Sequence, residues 1–130
     1  ATCSPRANSA APSARGWAGA LVRYELLLLG QLGFGLDLER CTVTGGTDDL
    51  AFVSPKSGAA VSVGAAFGYE ARLFSLPLFL REGGAADWPD IFAAGRITAH
   101  FLARDILAGL RHDPMPARAR LFDRFKRAVA

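Results

Sequence analysis

The chain has 130 residues, of which 51% are hydrophobic and 21% charged, enough apolar material for one domain that removes about two-thirds of its unfolded surface from water. That content excludes a disordered chain, and two cysteines with unpatterned glycine exclude a disulfide scaffold or a collagen-like rod. The longest run of large apolar residues, Leu26 to Leu29, falls far short of the roughly 18 needed to span a bilayer, and a net charge of +3 is too mild to announce nucleic-acid binding by itself.

Residues 1–16, ATCSPRANSAAPSARG, hold no acid and no large aliphatic side chain and are expected to be a disordered tail or linker, leaving 17–130 as the folded domain. An acid-poor stretch of Arg and Ser also fits a transit peptide. Cys3 in this tail and Cys41 in an expected loop give little support for a disulfide, so a reduced, cytosolic setting is expected. From Trp17 to Leu32, apolar residues at 17, 21, 24, 28 and 32 follow helical spacing, and Leu26, Leu27 and Leu29 widen the face, predicting a central helix that Gly33 and Gly35 end. The stretch GLDLERCTVTGGTDD is expected to wander over the surface, pinned by Leu36 and Leu38. Residues 50–63 read as a β-hairpin around Ser-Pro-Lys-Ser-Gly. In RLFSLPLFL, Pro77 limits the chain to a two-turn helix before it and a turn after it.

The signals at Asp87 and Pro89 open a long helix over 90–110 whose face is Ile91, Gly95, Ala99, Leu102, Ile106 and Leu110. Pro114 and Pro116 end it, and a last helix to Val129 is expected to bury Ala117, Leu121, Phe125 and Ala128 with its arginines outward. The expected fold is mainly α, a small helical bundle with one inserted β-hairpin.

Most catalytic chemistry finds no support in this order of residues. His100 and His112 stand at no metal-ligand spacing from the two cysteines, Gly33-Phe34-Gly35 lacks the third glycine of a dinucleotide loop, and Pro55 replaces the glycine that a phosphate loop needs before Lys56. Asp48 and Asp49 read as solvated turn residues, and a hydrolase built on Ser54 or Ser57 would need His100 or His112 brought beside it. No enzyme, cofactor or metal is expected. Charge placement is more informative: residues 111–130 carry six cations and two acids, hence +4, and the rest of the chain −1. Arg96, His100, Arg104 and Arg111 align as a stripe on the long helix, and Arg118, Arg120, Arg124 and Arg127 form a second basic surface, with Asp105 and Asp123 partly neutralising both. With Trp88, Phe92 or Phe122 beside them, these groups suit a phosphate backbone or an acidic peptide; a solvated helix face in an arginine-biased chain is the simpler alternative.

The segment RYELLLLGQLGFGLDLERC, residues 23–41, resembles the opening helix and loop of the C-terminal domain of the RecO DNA repair family. TVTGGTDDLAFVSPKSGAAVS resembles the family's hairpin segment, SLPLFL its next helix and GRITAHFLARDIL the helix of its closing bundle, so that about 110 residues are covered. The resemblance implies a bacterial cytoplasmic, nucleoid-associated and non-enzymatic recombination mediator of the RecF pathway. Such a mediator binds DNA, anneals strands, and works with RecR and single-stranded DNA-binding protein, whose acidic tail docks on the helical domain, to help load RecA. The tentative partner and phosphate contacts are Arg96, His100, Arg104, Arg111, Arg120, Arg124 and Arg127. Many members hold zinc with two Cys-x-x-Cys pairs; here Thr44 stands where the second cysteine would fall and residues 61–65 contain none. That makes Cys41 a remnant of a lost zinc site, with Val61 and Val63 expected to replace the cross-link. The family also begins with an N-terminal OB-fold barrel that residues 1–16 do not resemble, which is expected to weaken DNA binding. A helical interaction module without a role on DNA is the alternative.

Overall fold

Ser13 caps a helix, its hydroxyl accepting a hydrogen bond from Gly16 N at 3.0 Å. In the computed structural model, which describes residues 13–107 and 111–129, helix α1 spans Ala14–Gln31. It therefore starts inside the stretch expected to be a tail; residues 1–12, with Cys3, lie outside the described residues. The period of α1 is as expected but its phase is not. The buried residues are Ala18, Val22, Glu25 and Leu29, whereas Trp17 is 48% and Tyr24 60% exposed. A helix apolar on most sides has no unique inward face, and here the small side wins: a side chain at Gly19 would already touch Ile91 Cδ1 at 4.0 Å, the close approach that large residues forbid.

The loop expected after α1 contains strand β1, Asp37–Cys41. The hairpin forms as β2, Leu50–Val53, and β3, Ala59–Ser62, paired antiparallel, and is the centre of a larger sheet. Its order is β1-β3-β2-β4, with β1 parallel to β3 and β4, Phe74–Ser75, antiparallel to β2. A two-stranded hairpin is marginal alone, and the added strands together with the helix around Ile97 and Phe101 complete its burial. The expected helix before Pro77 is instead a short 3-10 turn, Glu70–Arg72, followed by β4; the helical turns come after the proline, as α2, Leu78–Glu82. The β-favouring tendency of the residue before a proline and the free edge of β2 account for this reversal.

Helix α3, Trp88–Phe101, gives way to a π-helical turn over Leu102–Ile106, closed by Leu107 N donating to Leu102 O at 2.8 Å. The single long helix expected over 90–110 is thus broken at 102, and Leu110 lies outside the described residues. Helix α4, Met115–Val129, buries Phe122 and Phe125, with Leu121 half-buried; Ala117 and Ala128, expected inside, are exposed. Two bulky rings set the inward face where a row of alanines contributes little apolar area.

The core has two parts. Leu29, Leu38, Cys41, Val53, Ala60, Ile97 and Phe101 lie between sheet and helices. Ala18, Val22, Phe79, Ile91, Ala94, Phe122 and Phe125 fill the space among the helices. Gly95 permits the second part: a Cβ there would sit 2.6 Å from Phe122 Cε2, closer than any real contact. The mainly helical fold with inserted strands is therefore as expected, and the sheet is twice the expected hairpin in strand number.

Candidate functional site

The basic residues separate into two groups once folded. Arg120, Arg124 and Arg127 fall at helical spacing on the exposed side of α4, and Arg96 and Arg111 are also exposed. Among the described residues no ion pair engages any of the five. Asp123 is exposed within the same helix, so the α4 row is strongly but not purely cationic. Lys126 leans over the Phe92 ring, 5.7 Å from its centroid, and Phe92 stacks on Trp88 at 5.4 Å. Both rings are half-buried, so each keeps some surface beside a cation. Phe122, expected to be available to a partner, is buried beneath Arg118.

Arg118 leaves the expected outer surface altogether. Its Nε donates to Glu25 Oε2 at 2.7 Å and its Nη2 to Glu25 Oε1 at 2.8 Å, with further bonds from Nη2 to Gly95 O and Thr98 Oγ1 at 3.0 Å. Thr98 Oγ1 donates to Glu25 Oε1 at 2.8 Å. The guanidinium also covers the Phe122 ring at 4.3 Å. This two-pronged pair ties α1, α3 and α4 together through one buried carboxylate. Its sequence signal is Glu25, the sole acid of α1, standing in register with Ala18, Val22 and Leu29.

His100 and Arg104 do not stand free in a stripe. His100 Nε2 donates to Pro55 O at 2.9 Å, and Arg104 Nη1 donates to Pro55 O at 3.0 Å and Lys56 O at 3.1 Å. The π-helical turn brings Arg104 to these carbonyls, where it also pairs with Asp105 at 2.8 Å and covers the Phe101 ring. The hydrogen bond from Arg104 holds the Asp105 carboxyl below its usual range. These two residues clamp the β2–β3 turn to α3, and although Arg104 is itself exposed, Arg96 and Arg111 are the members of that stripe without an ion pair among the described residues. The serines of the turn are engaged too: Ser54 Oγ accepts from Lys56 N and Ser57 N, and Ser57 Oγ from Ala59 N. With His100 Nε2 on the Pro55 carbonyl, no serine–histidine pair is assembled there.

At the other end of the sheet, Cys41 Sγ accepts backbone hydrogen bonds from Ser62 N at 3.3 Å and Thr44 N at 3.4 Å, and lies 3.6 Å from Ser62 Oγ. Burial pushes its thiol up, but the hydrogen bonds from Thr44 and Ser62 outweigh it and bring it from 9.0 down to about 6. The donor set here is one sulfur and two hydroxyls, with Thr44 Oγ1 already accepting from Gly46 N; it does not fit the Cys- and His-rich tetrahedron of structural zinc. The sulfur adds a side-chain link between β1 and β3 to their backbone pairing. Val61 is buried as expected, while Val63 is 54% exposed and plays no part in it.

The fold and these surfaces define a mainly helical module with a cationic outer helix and a small sheet fastened by one thiol. Residues 10–114 match the family model described as Recombination protein O C terminal. The chain is 53% identical over 114 residues to the DNA repair protein RecO of Cereibacter sphaeroides strain KD131, covering 87% of this chain and 48% of the relative. The RecO of Acidiphilium cryptum is 52% identical over 115 residues, 85% of this chain and 45% of the relative, and that of Jannaschia sp. is 46% identical over 114 residues, 87% and 46%. The chain belongs to the RecO family and spans about half the length of these curated relatives. No solved structure matches it. No described helix is long and apolar enough to cross a membrane.

Proposed function

We propose that this chain is the helical portion of a RecO-type recombination mediator in the RecF pathway of bacterial DNA repair, acting by binding rather than by catalysis. Its domain is taken as the part following a short N-terminal linker. In this reading it docks the acidic C-terminal tail of single-stranded DNA-binding protein, works with RecR to help load RecA, and contributes phosphate contacts to DNA binding and annealing. The observation that carries it is the exposed row Arg120, Arg124 and Arg127 on α4, unengaged by carboxylates among the described residues and flanked by Lys126 over Phe92. Exposed guanidinium groups suit carboxylate and phosphate, and a half-exposed aromatic shelf suits a terminal aromatic side chain. Arg96 and Arg111 extend the positive field; His100 and Arg104 act by holding the hairpin turn.

The test is fluorescence anisotropy of a labelled acidic peptide ending in Pro-Phe, titrated with this chain at two salt concentrations. Micromolar binding that falls with salt, requires the terminal Phe and is lost in Arg120→Glu or Arg124→Glu supports the reading. No binding by a chain that is folded by circular dichroism leaves family ancestry without this docking function. Capture of the peptide by a chain that shows no salt-sensitive binding when a DNA oligomer replaces it would favour an interaction module without a role on DNA.

A further inference from the structure

A groove of about 400 Å³ runs between the β2–β3 turn and the chain that follows β3, lined in part by Val43, Pro55, Lys56, Tyr69 and Arg72. Its lining includes two cations and no carboxylate. Tyr69 is 59% exposed, and Phe67, on the same turn, is 81% exposed, the most exposed large apolar side chain among the described residues. Neither ring contributes to the core, yet the backbone that presents them is tightly built. Ala66 N donates to Ser62 O, Tyr69 N to Ala66 O and Arg72 N to Tyr69 O at 2.8 to 2.9 Å. Gly68, between the two rings, has φ +86, and its N–H donates to Glu70 Oε1 at 3.0 Å, which engages the nearest acid of the turn. Across the groove, the backbone of Lys56 is held by Arg104 and Ser54, and its side chain remains exposed.

We propose that this groove binds unpaired bases of single-stranded nucleic acid, with Tyr69 and Phe67 as stacking surfaces and Lys56 and Arg72 as phosphate contacts. The proposal rests on reading the chain as a DNA-binding module and gives that activity a second location, distinct from the α4 arginines. Exposed rings on a hydrogen-bonded turn beside cations are the arrangement that stacks bases without reading their sequence. Phe67 lies outside the lining of the groove and is 81% exposed, so it offers a flat face at the rim, which suits a base better than the enclosed pocket that a peptide side chain fills. The absence of carboxylate from the lining matches a polyanion.

The experiment compares a labelled oligothymidine with an abasic oligomer of the same length, which keeps the phosphates and lacks the bases. The wild-type chain is expected to prefer the oligothymidine. Tyr69→Ala and Phe67→Ala each weaken that binding about tenfold, leave the abasic oligomer unchanged, and keep the wild-type circular dichroism spectrum; Tyr69→Trp retains the preference. Lys56→Ala lowers the salt slope by about one. Equal affinity for both oligomers, or loss of oligothymidine binding in Arg124→Glu with none in Tyr69→Ala, overturns the groove and leaves DNA binding elsewhere intact. Loss of acidic-peptide capture but not of oligothymidine in Tyr69→Ala makes it a peptide site and also overturns it. A folded wild-type chain that binds neither oligomer overturns both this proposal and the reading on which it rests.

Discussion

The helical and sheet parts of the core each enclose one acidic group, and they stabilise it by different means. In the helical part the Glu25 carboxylate meets the guanidinium of Arg118, 93 residues away in the chain. In the sheet part the Cys41 sulfur meets backbone N–H groups, one of them from Thr44 in its own turn and the other from Ser62 across the β1–β3 pair. The first solution depends on three helices being in place together. The second is half local, because the turn after β1 supplies one donor whatever the helices do. A buried charge matched by a side chain from another element makes that element's docking all-or-none; a charge matched by amides makes it dependent on protonation.

The most severe way to break this contrast is to remove Arg118. Arg118→Ala leaves Glu25 buried without its cation and is expected to cost about 3 to 5 kcal/mol in urea denaturation. The double replacement Glu25→Leu with Arg118→Met is expected to lose far less, because no charge is then buried. A double loss as large as the single one would refute the account of the pair. Gly95→Ala tests the same region through packing: its new methyl meets Phe122 and is expected to cost about 1 to 3 kcal/mol by the same measurement.

In the sheet part the expected effects are smaller and depend on pH. The folded thiol of Cys41 titrates near 6 against 9.0 when unfolded, so the folded state releases its proton first. Its contribution is fully present above the unfolded value and is lost as pH falls through about 6; stability therefore rises with pH across this window. With Cys3 replaced by serine, thiolate absorbance should show one titration near pH 6, and Cys41→Ala should flatten the rise in stability. A thiol titrating near its ordinary value would remove the amide cradle from the explanation. Least of all, Arg124→Glu on the exposed side of α4 should shift stability by no more than about 0.5 kcal/mol, while weakening binding of the acidic peptide and of DNA. A large stability loss there would mean that the outer row belongs to the fold.

Much of this architecture is legible in the chain. Helical spacing finds α1, α3 and α4, and the Ser-Pro-Lys-Ser-Gly turn finds β2 and β3. Strand β1 is hidden because Asp37, Glu39 and Arg40 offer no apolar alternation, and it is a strand only by pairing with β3. The phase of α1 is equally hidden, since Trp17, Tyr24 and Leu28 are as apolar as the Val22 and Leu29 that turn inward. In the candidate site, the α4 row is readable from the spacing of Arg120, Arg124 and Arg127. Arginine identity alone does not distinguish these from Arg118 or Arg104, because the distinction lies in what stands opposite: a buried carboxylate for one and the Pro55 and Lys56 carbonyls for the other.

The sequence by itself determined the helical class, the hairpin, the concentration of positive charge toward the C-terminal end and, through its resemblance, the family. These depend on local order: residue period, turn chemistry and composition act within a few positions of the chain. Only the tertiary structure decided which arginines face solvent, which face of α1 is buried, and that Cys41 is held by amides. Those outcomes depend on groups distant in sequence, where burial makes an unmatched charge or donor costly and so selects the arrangement in which each finds its partner.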